Sequence, residues 1–363
     1  MLVSSVASMQ PRKPNQGAMA DLFKTLSKAA RLVRKGRPMS ALFAMQGGLK
    51  PPAPVKTRSP KAPRRPGAKP EAVRQMRPAP GTFGTHEFDC KDGKISFRLY
   101  TPRGSKRRSL PLVVMLHGCS QTASDFATGT GMNALADELG CLVLYPQQSQ
   151  RANLARCWNW HRPRNQTRGE GEPALIAALV RHVLAIAAGN PKRVFIAGIS
   201  AGGSAAAIIG SAYPDVFTAV GVHSGVARGT IRTLPSALAA MRGEGRARSS
   251  GRAARPLPTI VLHGDKDRVV HPSNAAGFLD TLERSQPGPL VSRTYCGKSG
   301  KGRDFTRKVY RSSGGNILLE DWTIHGSGHE WSGGSAFASY TDPLGPDASR
   351  EMMRFFLSQR RAS

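Results

Sequence analysis

The stretch RVFIAGISAGGSAAAII, Arg193 to Ile209, decides how the chain is read. Its opening residues form a continuous apolar run of the kind that suits a strand buried on both faces, and its alanine-rich close reads as a helix. Ser200 stands at the junction, with Gly198 and Gly202 two residues away on either side and Gly203 next in line. A serine on so sharp a strand-to-helix turn needs small neighbours, because its backbone is strained and the helix must pass close to the strand. The turn lifts the hydroxyl above the sheet, where the helix N-terminus aims unpaired amides and the positive end of its dipole at any anion that forms. A serine that merely caps the helix leaves the flanking glycines unexplained. The pattern GxSxG alone is weak; its context makes Ser200 a candidate nucleophile.

Working outward, strands of the same kind recur. LPLVVMLHG (110–118), CLVLYPQ (141–147), AVGVHSG (219–225), TIVLHGD (259–265) and LLEDWTIHG (318–326) are mostly unbroken apolar runs. Between them lie helical segments: GMNALADELG, PALIAALVRHVLAIAAG, the run after Ser200, PSNAAGFLDTLERSQ and DASREMMRFFLSQRR. This alternation predicts an α/β fold with a mostly parallel central sheet and helices on both faces. Two alternating segments before it, THEFDC and KISFRLYTP around the turn KDGK, predict an antiparallel hairpin at a sheet edge. Residues 228–256 interrupt the pattern with a glycine-rich basic insertion, read as partly helical and as a flexible flap.

A serine hydroxyl is a poor nucleophile at neutral pH, so a base must take its proton and a third group must orient that base. In a strand–serine–helix arrangement the partners follow in the order acid, then histidine. TIVLHGDKDRVVHP places Asp265 and Asp267 just past a strand end, on the edge where open parallel sheets bind ligands. Asp267 is taken as the acid and Asp265 as a turn residue; a carboxylate capping the next helix is the competing reading of either. HGSGHEWSGG then puts His329 in a glycine-rich loop able to carry an imidazole over the serine. His325 lies in a strand, and His117, His223 and His263 end strands, where packing or hydrogen-bonded support is expected. Acyl transfer also needs two amides aimed at its oxyanion. The Ala201 amide is one, and LHGCSQ offers the Cys119 amide, with that of Ser120 as the alternative.

On the strings LHGCSQTASDFATGTGMNALADELGCLVLYPQQ, ARCWNWHRP, RGEGEPALIA, VFIAGISAGGSAAAII, HGDKDRVV and HGSGHEWSGG, the chain resembles the poly(3-hydroxybutyrate) depolymerase family of esterases from about Thr82 to Leu357. The resemblance implies an α/β-hydrolase fold, with Ser200 as nucleophile, Asp267 as acid, His329 as base and the loop after Gly118 in the oxyanion hole. It implies a serine esterase that needs no cofactor or metal and acts on poly(3-hydroxybutyrate), its oligomers or other short-chain esters. An esterase for acetyl or feruloyl groups on polysaccharide is the alternative. The resemblance further suggests that Cys119 and Cys157 pair as a disulfide in secreted relatives, two free buried thiols being the other reading. It also places Trp160 and Trp331 beside the acyl chain, although Trp331 reads equally well as core and Trp158 is assigned to core.

The rest of the chain bounds what surrounds that domain. Its 363 residues carry 53 basic and 23 acidic side chains, a net charge of +30. The first 80 residues hold 17 of those bases and two acids, and Lys50–Pro80 contains nine prolines and little that can be buried, so it reads as a disordered linker. Leu22, Phe23, Leu26, Ala29, Ala30 and Val33 fall at helical spacing among lysines and arginines, giving a short basic amphipathic helix. We therefore divide the chain into a basic tail, 1–80, and a catalytic domain, 81–363. The tail suggests an anionic surface or a polymer granule as a partner, and a polyanion-binding protein is the reading from outside catalysis. It lacks the aromatic interleaving of single-strand binders, so no specific nucleic acid is expected. No run is long enough for a membrane span, and the N-terminus lacks a long apolar leader, so a cytoplasmic location is expected, with an extracellular one as the alternative. Five cysteines without CxxC spacing indicate neither a zinc site nor a dense disulfide framework.

Overall fold

The computed structural model describes residues 81–103, 109–229, 231, 233–244, 256–286, 288–300 and 302–359. The basic tail with its helix and linker, and most of the insertion's glycine- and arginine-rich part, lie outside the described residues. Ten strands form one sheet: β1 (Thr82–Cys90), β2 (Gly93–Thr101), β3 (Leu110–Leu116), β4 (Leu142–Gln147), β5 (Gly189–Ile199), β6 (Ala219–His223), β7 (Thr259–Gly264), β8 (Val291–Lys298), β9 (Asp304–Arg311) and β10 (Ile317–Ile324). Their spatial order is β1-β2-β4-β3-β5-β6-β7-β10-β9-β8. The six strands from β4 to β10 run parallel to their neighbours, and antiparallel pairs close both ends. Every residue of β3 and β6 is buried, which is why these strands read as unbroken apolar runs.

Seven α-helices are described: α1 (Ala123–Thr130), α2 (Met132–Leu139), α3 (Gly171–Ile186), α4 (Ala201–Ala212), α5 (Leu234–Met241), α6 (Ala276–Ser285) and α7 (Ala348–Ser358). Successive residues of β5 point to opposite faces. Phe195, Ala197 and Ile199 join the core cluster of α1, α2 and α7, where the rings of Phe195 and Phe356 stack 5.0 Å apart. Ile196 turns the other way, toward Gly210 of α4. Helices therefore cover both faces, and Ser200 emerges at the C-terminal end of β5 in the middle of the sheet. None of the described helices is long and apolar enough to cross a membrane.

The β1–β2 hairpin, the parallel strands and the main helices fall where the sequence predicts them. The β8–β9 pair does not announce itself in sequence, because seven of the eight residues of β8 are exposed and so carry no apolar alternation. Helix α1 is also unanticipated; Thr122 caps it, its hydroxyl accepting from Asp125 N at 3.1 Å. Within the insertion, the described helical part is α5, started by a Thr233–Ser236 capping box.

Candidate active site

The backbone at Ser200 is held at φ 58°, ψ −124°, a conformation that costs a non-glycine residue about 1–3 kcal/mol and persists only where its surroundings impose it. Those surroundings are close backbone contacts. A Cβ on Gly198 would lie 2.5 Å from the Gly202 carbonyl, and one on Gly202 would run into the Leu116 and His117 carbonyls at the end of β3. The Ser200 amide donates to His223 O at 2.9 Å, fixing the turn to β6. The Ser200 side chain makes no capping bond to α4. The residue is 8% exposed, and its hydroxyl stands at the C-terminal edge of the sheet.

His329 Nδ1 lies 2.7 Å from Asp267 Oδ2. The two oxygens of Asp267 divide their work, since Oδ1 accepts the amides of Val269 and Val270 at 2.8 and 2.9 Å and so fixes the turn after β7. His263 Nε2 sits 3.3 Å from Oδ2 and 2.8 Å from Val270 O. Because a carbonyl can only accept, that nitrogen carries the proton, and the buried Nδ1 of the same ring has no partner. Burial of Asp267, 3% exposed, would by itself raise its pKa. The charge of His329 and hydrogen bonds from His263 and His329 outweigh that and hold the carboxyl far below its usual range.

The His329 loop is carried back across the sheet edge. Ser332 N donates to His223 Nε2 at 3.1 Å, and Trp331 stacks on the His223 ring at 5.2 Å. Farther along, Gln121 Nε2 donates to Ser339 O at 3.1 Å, and the hydroxyls of Ser120 and Tyr340 meet at 3.3 Å. The segment from His329 to Tyr340 thus reaches from Asp267 after β7, past His223 at the end of β6, to Ser120 and Gln121 after β3. His223 serves both partners, its carbonyl holding the Ser200 amide and its ring holding the returning loop. Burial, with the His263 and His329 charges, lowers the His223 pKa to about 3, so the ring stays neutral. Asp267 and His329 are joined in a hydrogen bond. The remaining imidazole nitrogen and the Ser200 hydroxyl are not bonded to each other; such contacts often tighten only when substrate is bound.

In the loop after β3 the two candidate amides differ in their partners. Ser120 N is committed to Ala155 O at 2.6 Å and Gly118 N to Gln121 Oε1 at 2.9 Å. Among the described residues the Cys119 amide has no acceptor, and Ala201 N opens α4 with none. Cys119 is disulfide-bonded to Cys157. Glu172, opening α3, binds the same neighbourhood from the other side, accepting from Gln148 Nε2 at 2.7 Å, Asn159 Nδ2 at 2.8 Å and Asn159 N at 2.9 Å. Burial pushes the Glu172 pKa up against these bonds.

Trp331 is 1% exposed, with its ring between His223 and Phe126 and its N–H on Ser349 Oγ at 3.0 Å. It is core, and no face is left for an acyl chain. Trp158 is core as assigned, its N–H on His117 O at 3.1 Å. Trp160 is 7% exposed, the most accessible of the three, and meets His161 edge-on. Asp265 is the turn residue expected, accepting from Gly326 N at 2.8 Å and facing His325 at 3.1 Å. The positioning roles of His263, His223, Gln121 and Glu172 have no motif of their own in the sequence, since each works through a partner far away in the chain.

A mostly parallel sheet, a strained serine at the end of its central strand and an Asp–His pair delivered from the next loops define an α/β-hydrolase. The chain belongs to the family described as Esterase PHB depolymerase, whose sequence model matches residues 95–304. Poly(3-hydroxyalkanoate) depolymerase C of Paucimonas lemoignei is 32% identical over 256 residues, 67% of this chain and 60% of that protein. Feruloyl esterase B of Thermothelomyces thermophilus is 28% identical over 261 residues, 67% of this chain and 86% of that one. Acetyl xylan esterase from Aspergillus awamori shares the fold, with a TM-score of 0.57 at 18% identity over 76% of this chain and 99% of that one. The chain thus spans less than two thirds of the length of the depolymerase it matches.

Proposed function

We propose that this protein hydrolyses carboxylic esters through an acyl-enzyme on Ser200. As Oγ bonds the ester carbonyl carbon, its proton passes to His329 and the carbonyl oxygen becomes an oxyanion facing the Cys119 and Ala201 amides. Asp267 keeps the His329 proton on Nδ1 and stabilises the imidazolium. Collapse of the intermediate breaks the bond to the alcohol, which leaves with the proton from His329; water then repeats the sequence and releases the acid. The observation that carries this reading is the 2.7 Å Asp267–His329 bond beside a serine held at φ 58° on a helix N-terminus.

The proposed substrates are esters of 3-hydroxybutyrate, as polymer or oligomer, supported by the depolymerase among the relatives. The feruloyl esterase relative supports a second reading, removal of feruloyl or acetyl groups from polysaccharide. Initial rates on hydroxybutyrate oligomers, methyl ferulate and acetylated xylan separate the two. A preference of at least tenfold for the oligomers supports the first, and the reverse preference replaces it with the second. Trp160 is the remaining candidate for the acyl wall, and Trp160→Ala should raise KM more than it lowers kcat.

We assign the basic residues 1–80 to tethering on a granule or anionic surface, on their charge. Deleting them should abolish surface binding and spare hydrolysis; loss of hydrolysis overturns that division, and binding as the sole surviving activity of the whole chain favours the polyanion-binding alternative. Disulfides persist in oxidising compartments, so the Cys119–Cys157 bond supports the extracellular alternative over the cytoplasmic expectation. Alkylation of the protein from its native host, before and after reduction, tests this.

A further inference from the structure

We propose that His117 is the positioning residue of the oxyanion hole. The inference rests on the esterase reading above and concerns how the Cys119 amide is aimed. In a trans peptide the carbonyl and the N–H point to opposite sides, so whatever holds the Gly118 carbonyl sets the direction of the Cys119 N–H. His117 Nδ1 lies 2.8 Å from Gly118 O, and Gln121 N donates to the same oxygen at 3.3 Å.

The tautomer follows from the other ring nitrogen. Gln148 N, which can only donate, lies 3.1 Å from His117 Nε2, and Gln147 Nε2 lies 3.3 Å from it. Nε2 is therefore an acceptor, and the proton sits on Nδ1, facing Gly118 O. The ring is fully buried and wedged against Trp158. Burial is the main cause of its pKa falling to about 4, so it stays neutral where esterases work. Gly118 packs against Ile199, the residue before Ser200, at 3.3 Å for an added Cβ. The result is a 118–119 peptide with its carbonyl locked away from the cavity and its N–H uncommitted. If the peptide turned over, the carbonyl would present negative charge where the oxyanion forms.

The test uses the wild type and two variants of the full chain. His117→Gln keeps an acceptor near the Nε2 position and loses the donor to Gly118 O; in His117→Asn the amide nitrogen stands near Nδ1 and can donate. The readouts are kcat and KM on a chromogenic butyrate ester and the Ki of an alkyl trifluoromethyl ketone. Ser200 Oγ adds to that ketone, its proton passing to His329 and the ketone oxygen becoming the bound oxyanion. Losing one oxyanion donor costs about 10²–10³ in rate; a misaimed one should cost about 10- to 100-fold, in kcat and in ketone affinity together, with KM nearly constant. His117→Asn should recover most of that loss. The inference is overturned if His117→Gln keeps both quantities within threefold, or if His117→Asn falls as far as His117→Gln.

A measurement on the wild type covers the case in which the variants do not fold. Nitrogen NMR of the imidazole should show Nδ1 protonated and Nε2 bare, and the Cys119 amide proton should move downfield when the ketone binds. A proton on Nε2, or a Cys119 amide that does not respond, overturns the inference. A wild type that neither turns over the ester nor binds the ketone refutes the esterase reading instead.

Discussion

Asp267→Asn changes no volume and reverses one hydrogen bond. With its oxygen at the Oδ1 position the new side chain still accepts from Val269 and Val270. Its NH2 then points at two donors, His329 Nδ1–H at 2.7 Å and His263 Nε2–H at 3.3 Å. The opposite rotamer faces the NH2 against two buried backbone amides, at about 1–3 kcal/mol for each donor left unsatisfied. His329 relieves the clash by moving its proton to Nε2, and in that tautomer it cannot accept the proton of Ser200. A wrong-tautomer histidine in a serine triad costs about 10⁴ in kcat, which is roughly 5.5 kcal/mol of barrier. The assay is hydrolysis of p-nitrophenyl butyrate at pH 7, with the folded fraction counted by thermal melt and Asp265→Asn as the control. Asp265→Asn should stay within about threefold of wild type, because its partner His325 lies outside the proposed chemistry. The reasoning is refuted if Asp267→Asn retains more than a tenth of wild-type turnover, or if both variants lose activity equally.

Three further outcomes follow from the same geometry. Gly202→Ala should destabilise by about 1–3 kcal/mol in urea unfolding, the usual cost of overpacking, since its Cβ meets the Leu116 and His117 carbonyls; an unchanged midpoint contradicts the close approach of α4 to β3. Replacing both Cys119 and Cys157 with alanine should cost about 4 kcal/mol in the chain-entropy account for a bridge between residues 38 apart, and a loss below 1 kcal/mol contradicts it. His117 and His223 are kept neutral by burial, with pKa values of about 4 and about 3 against an ordinary 6.5. The unfolded chain therefore takes up protons below pH 6.5 that the folded one refuses, and stability is lost on acidification. By pH 5 each ring should cost roughly 1–2 kcal/mol, read as a falling melting temperature before most carboxylates titrate; a flat profile from pH 6.5 to 5 contradicts their neutrality.

Much of this was legible in the sequence because the chemistry is tied to backbone turns. The glycines around Ser200 are required by contacts that no side chain survives, and the loops after TIVLHG and LLEDWTIH must start at strand ends to reach the serine. What escaped has an equally physical cause. Strand β8 is exposed on both faces and so leaves no periodic signal. Trp331 lies two residues from His329 in the chain, yet stacking on His223 and the N–H bond to Ser349 hold its ring in the core. That Ser120 N is bonded to Ala155 O while the Cys119 amide is not is a matter of where Ala155 lies, which spacing along the chain does not encode. His117, His223 and His263 end strands, where a supporting role is expected, but their partner atoms are definite only in space.

The central claim is that Ser200 is made nucleophilic by partners brought from far along the chain. An alkyl fluorophosphonate, which reacts with an activated serine and expels fluoride, tests it directly by intact mass and peptide mapping. The account predicts one adduct per chain, on the peptide containing Ser200, absent in Ser200→Ala and slowed at least a hundredfold in His329→Ala. An adduct on another residue, or equal labelling of Ser200→Ala, would contradict it.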